Sequence, residues 1–157
     1  MNLWSSFFGK IIMTGLISMV PVIELRGAIP IAVANGLDYK VAIPIAIIGN
    51  IIPVPFIIIF IKKIFALIRK MSRKLDGLVT RLEKRAEKKS DVVRKYAFWG
   101  LFILVAIPLP GTGAWTGALV AAMLDMRLKD AFPAIALGVV AAGAIVTVVT
   151  YGASAII

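Results

Sequence analysis

The sequence predicts an all-α integral membrane protein made of two inverted repeats. Each repeat is a re-entrant helical hairpin followed by a transmembrane helix, and a basic cytoplasmic helical segment joins the two. Three observations carry this. The 157 residues are 61% hydrophobic with a mean hydropathy of +0.98, whereas soluble domains sit nearer half apolar. Lys62 to Lys95 holds 13 of the 18 Lys and Arg. The apolar stretches on either side of that block follow one plan. The expected organisation is a single membrane domain, with repeat 1 over 1–61, the basic connector over 62–95 and repeat 2 over 96–157.

The opening, MNLWSSFFGK and then IIMTGLISMV, superficially resembles a signal peptide. It has no basic n-region and no A-x-A site, so it is read as part of the mature chain. Residues 5–36 form an apolar arm, a Pro/Gly/charge break at 21–30 and a short second arm. Val41 to Ile61 is uncharged and long enough to cross a core of about 30 Å. Its Pro44, Pro53 and Pro55 exclude a straight ideal helix.

The basic block comes next. Beside apolar spans it belongs on the cytoplasmic side, near anionic lipid. Nucleic-acid binding is disfavoured by its position and its few aromatics. Ile68, Met71, Leu75, Leu78 and Leu82 keep a/d heptad spacing until Arg85. A surface helix or hairpin is expected there, and pairing with a second copy is the alternative. Ser90-Asp91 reads as a helix start. Residues 96–126 are apolar, but "PLPGTG" splits them into arms too short to span singly. Ala131 to Ile157 is a second uncharged run. Ala42, Ala46 and Asn50, and likewise Ala134, Gly138 and Ala142, form small faces for close packing.

The halves also match in detail. Leu37-Asp38 aligns with Leu124-Asp125. After a two-residue insertion Lys40, Ala42, Pro44 and Gly49 align with Lys129, Ala131, Pro133 and Gly138, and Pro21 falls opposite Pro108. If both ends of the basic block are inside, the first hairpin enters from outside and the second from inside. Arg127 and Lys129 are then cytoplasmic, and the two tips meet near the midplane. The competing reading makes each broken segment a kinked full crossing, which gives parallel repeats.

The chain has no Cys and no His. That removes disulfides, thiolates, the usual general base and the commonest metal ligand. No enzyme activity, cofactor or metal site is expected. Glu24 and Arg26 interrupt an oily run, and charge at membrane depth is tolerated only where protein or water surrounds it. They are expected, with Gly27 and the bend at Pro30, to face a polar cavity. There a carboxylate caught between desolvation and a neighbouring cation carries a proton or binds a cation, and the guanidinium suits phosphate or carboxylate. An internal Glu24–Arg26 ion pair, or both groups at the water interface, are the alternatives. In the second break Pro108, Pro110, Gly111, Thr112, Gly113, Trp115 and Thr116 offer unusual dihedrals, hydroxyls, free N–H groups and an aromatic face. A tight turn without ligand is the plainer reading.

Through "ELRGAIP" (24–30) and "PLPGTGAWTG" (108–117) the chain resembles the small multi-drug export protein family of bacteria and archaea, over nearly its whole length. More distantly its plan is similar to the DedA (VTT-domain) superfamily, whose members are implicated in moving lipids such as undecaprenyl phosphate. That resemblance implies re-entrant hairpins, with Glu24 and Pro30 on the first and Pro110 and Gly111 on the second. The DedA second motif carries arginines and "PGTGAWTG" carries none. The function these resemblances imply is translocation of an anionic lipid or amphiphile, polyprenyl-phosphate-like, between the hairpins, with proton coupling through Glu24. A small homodimer among membrane lipids is expected, since two spans and two hairpins form a thin wall. The alternatives are export of lipophilic cationic drugs and a non-transporting membrane scaffold.

Overall fold

The computed structural model describes the backbone of residues 2–156 and the side chains of residues 2–152. Among these there is no strand. After a 3-10 turn at Leu3–Ser5 come α1 (Phe7–Met19), α2 (Glu24–Ala34), α3 (Tyr39–Ile51), α4 (Pro53–Met71), α5 (Arg73–Tyr96), α6 (Phe98–Ala106), α7 (Ala114–Met123) and α8 (Leu128–Ile156).

Proline sets the first break in each half. Val20 and Ile107 are both extended (ψ 127° and 117°) because each precedes a proline, Pro21 or Pro108, whose ring excludes the helical conformation from its predecessor. The chain then folds back. Ile11 of α1 packs with Ala32 and Val33 of α2 and with Leu37 and Ala42 around the start of α3. In the second half Phe98 lies beside Met126, Arg127 and Asp130. Each broken pair therefore returns to the end it came from, and each first arm runs alongside the long helix that follows.

The two long helices meet those arms through glycine. A Cβ on Gly49 would collide with the Gly15 carbonyl oxygen at 2.6 Å, and one on Gly138 would sit 3.0 Å from the Phe102 carbonyl oxygen. Gly49 and Gly138 are 89 positions apart, Gly15 and Phe102 87 apart. The turns into α3 and α8 repeat bond for bond. Gly36 N–H donates to Val33 O and Leu37 N–H to Ala32 O, as Asp125 N–H does to Ala122 O and Met126 N–H to Ala121 O. These pairs are all 89 apart, so Leu37 corresponds to Met126. The two extra residues lie upstream, in the second break, and the expected Leu37-Asp38 to Leu124-Asp125 match is shifted accordingly. Between the halves, Tyr39 stacks on Tyr151 at 5.1 Å, and Ile47 lies 3.2 Å from where a Gly143 Cβ would be. α3 and α8 are thus antiparallel.

Three local expectations change. The first break is only Val20 to Ile23, and Glu24, Arg26, Gly27 and Pro30 all lie on α2, which runs through Pro30. A proline inside a helix removes one bond and is tolerated where neighbours cover the freed carbonyl. Ser90 is not a helix start: α5 is continuous, and the Ser90 hydroxyl donates to Glu87 O (2.6 Å). The chain turns instead at Ala97 (φ 48°). The heptad positions Met71, Leu75 and Leu78 are exposed, while α5 buries Val79, Ala86, Ser90 and Val93. The basic stretch is the last part of α4 and most of α5, tied back by Arg69 to Asp76 (3.1 Å) and to Glu83. The small faces of α3 and α8 are buried as expected, Ala42, Ala46, Ala134 and Asn50 almost wholly.

Candidate functional site

The two breaks meet. Glu24 opens α2 in the left-handed region (φ 49°) and is 4% exposed. Its Oε1 accepts the Trp115 N–H of the first turn of α7 at 3.1 Å, and the Ala114 N–H also points at the carboxylate. A helix N-terminus carries unpaired N–H groups and positive partial charge, so Glu24 caps a helix 91 residues further along the chain. Gly113 makes the room. A Cβ there would fall on the Glu24 carboxylate, and its φ of +127° suits only glycine.

Arg26 takes the other end of the same break. Its Nη1 donates to Leu109 O at 2.5 Å, and Nη2 donates to Ile107 O at 3.3 Å and Thr112 Oγ1 at 3.0 Å. Ile107 is the C-cap of α6, where the partial charge is negative, and Leu109 lies in the break just beyond it. One residue pair, two positions apart, thus sets its acid on the start of α7 and its base on the end of α6. Among the described residues they form no ion pair with each other.

The second half answers in kind. The Trp115 indole N–H donates to Met19 O, the last carbonyl of α1, at 3.0 Å. Its N–H is therefore engaged in holding the first break. Thr112 Oγ1 lies 2.7 Å from Ile107 O and from Leu109 O and accepts the Leu109 N–H at 3.2 Å. The Thr116 hydroxyl donates to Gly111 O (3.1 Å). Pro110 and Gly111 are exposed and Pro108 half-buried. Gly27 and Pro30 lie further along α2 and are half-buried; a Cβ on Gly27 would meet the side chain of Ile23, the last residue of the first break.

Two residues join the site that the motifs did not single out. Lys89 of α5 donates from Nζ to Gly111 O, and burial, with Arg26 and Arg85 nearby, pushes its pKa down. In the sequence it was one lysine among many, and no spacing marked it. Asn50, 1% exposed, stands against Glu24; as a polar residue within a span it was visible but uncommitted. Around the carboxylate, Glu24, Asn50, Gly113, Ala114 and Val139 line a narrow void with no room for a water molecule. The open polar cavity expected at Glu24 is closed in this conformation.

Among the described residues two helical stretches, Tyr39–Met71 and Leu128–Gly152, are long and apolar enough to cross a membrane, each holding an 18-residue window of mean hydropathy 2.4. With half-length helices meeting at their breaks, the class is an all-helical membrane protein. The family described as Putative small multi-drug export protein matches residues 24–145, and the chain belongs to it. It is accordingly a small membrane protein of exporter type, and the matched stretch contains both break motifs. No curated protein and no solved structure matches the chain.

Proposed function

We propose that the chain is a transporter in which α1–α2 and α6–α7 are re-entrant hairpins of opposite orientation and their meeting breaks are the gate. The observation that carries this is the exchange across the breaks: Glu24 on the N-terminus of α7, Arg26 on the end of α6, Trp115 on the end of α1. The antiparallel α3 and α8 and the fold-back of each broken pair support the inverted arrangement. In this closed state the half-helix ends satisfy one another, as backbone at membrane depth requires. Protonating Glu24 removes the charge that holds the N-terminus of α7 and favours separation of the tips.

The substrate is an anionic lipid or amphiphile. Arg26 and Lys89 bring to the second break the cations its own motif lacks, with Arg85 near. A lipophilic cation finds no open carboxylate, because Glu24 is enclosed. The basic helix α5 faces the cytoplasm, and the working unit is a homodimer.

The test is a proteoliposome assay with an imposed pH gradient. It compares flipping of a fluorescent polyprenyl phosphate with uptake of a lipophilic cationic dye. Glu24→Gln is expected to abolish the response to the gradient, and Arg26→Ala to abolish movement of the phosphate lipid. No movement of either probe by the wild type, with binding to anionic vesicles that is kept in Glu24→Gln and lost on deleting 70–89, would favour a scaffold instead. Monomer mass in detergent at all concentrations would remove the dimer.

A further inference from the structure

Asn50 sits near the end of α3, 1% exposed, against the Glu24 carboxylate. Among the described residues its Oδ1 has no hydrogen-bond partner. A buried amide oxygen left unpaired is rare in a folded protein and calls for an explanation. The void it lines with Glu24 is too narrow for a bridging water. Its counterpart 89 positions on, Val139, lines the same void and is fully buried, so packing alone is served by valine at this place. The carboxamide therefore has a task that shape does not set.

We propose that Asn50 is the second half of a proton site, a positioning residue that holds Glu24 in both of its protonation states. It rests on reading Glu24 as the proton carrier. With Glu24 ionised, the amide N–H₂ faces the carboxylate and Oδ1 is idle, which is the arrangement of the side chains here. When a proton from water forms an O–H bond on Glu24, the carboxyl becomes a donor, and the amide turns over about its last bond so that Oδ1 accepts from it. Each state keeps one bond between the two side chains. Neither an acid nor an aliphatic residue offers this, since one lacks the donor and the other both groups.

On α2, Arg26 lines the same void and its charge acts on Glu24, but its Nη groups are committed to the second break. On α5, Lys89 stands near Arg26 and Arg85. The groups of α7 and α8 that line the void, Gly113, Ala114, Val139 and Ala142, do not titrate.

The experiment is an infrared titration of the full chain in nanodiscs, following the protonated-carboxyl stretch of Glu24. The band is assigned by its loss in Glu24→Gln. Asn50→Val is expected to move the band to higher frequency and to raise its midpoint by about one pH unit, a tenfold gain of proton affinity, because the ionised carboxylate loses the stronger, charge-assisted bond. Asn50→Ser keeps one rotatable hydroxyl and is expected to fall between; it serves alone if Asn50→Val does not fold. A band whose frequency and midpoint are the same in wild type and both variants would overturn the proposal while leaving Glu24 as the carrier. No Glu24 band in wild type at any pH would remove the carrier itself and this inference with it.

Discussion

Glu24 and Gly113 hold matched places, 89 positions apart, at the heads of α2 and α7. One carries a carboxylate and the other no side chain, and the carboxylate fills the space that the missing side chain leaves. The same division holds for Asn50 and Val139. The first half supplies the polar groups, and the second supplies room, helix ends and carbonyls. The breaks resemble each other in backbone and differ in chemistry, and the difference lets them interlock. Two identical breaks would set acid against acid, a repulsion that a low-dielectric site makes costly.

The sharpest way to break the comparison is to fill the empty place. Gly113→Ala puts a methyl on the Glu24 carboxylate at a φ that alanine avoids. A loss of about 3 kcal/mol or more is expected, read by thermal unfolding in detergent together with new water accessibility at a cysteine placed at position 25. Arg26→Ala removes the charged donor that ties Ile107 O, Leu109 O and Thr112 Oγ1 to α2 and is expected to cost about 2 kcal/mol; restraint of the second break, followed by hydrogen exchange over 107–113, should fall with it. Trp115→Phe keeps the ring and removes one bond to Met19 O. About 1 kcal/mol is expected, with exchange rising at 20–24 rather than at 107–113. The smallest effect concerns Lys89. Its folded pKa is depressed, so the unfolded chain binds more protons there, and stability rises with pH through the window between the depressed value and the ordinary lysine value. Lys89→Met is expected to flatten that alkaline slope, measured as melting temperature against pH.

Much of the architecture was legible beforehand because it depends on local rules. Pro21 and Pro108 stop α1 and α6 by acting on the residue before each. The apolar runs before and after the basic block mark the long helices, and glycine and alanine at four-residue spacing mark their packed faces. The misreadings came where a local rule was overridden. Pro30 looked like part of a bend, yet α2 passes through it. Ser90-Asp91 looked like a cap, yet α5 does not pause. The repeat register was misplaced by two residues because the Leu-Asp pairs agree by letter, while the hydrogen-bonded turns pair Leu37 with Met126.

The composition, the helix breaks at Pro21 and Pro108 and the presence of two charges, Glu24 and Arg26, in an oily run were determined by the sequence alone. They follow from what oil, proline and buried charge tolerate, and each is set within a few residues of chain. What those charges hold was decided only by the tertiary structure. Glu24 reaches the start of α7, Arg26 the end of α6, Trp115 the end of α1 and Lys89 the Gly111 carbonyl. Their partners are mostly backbone groups from 22 to 96 positions away. A backbone N–H or C=O looks alike at every residue in the sequence and becomes a specific partner only when a helix ends there and folding brings that end to the side chain.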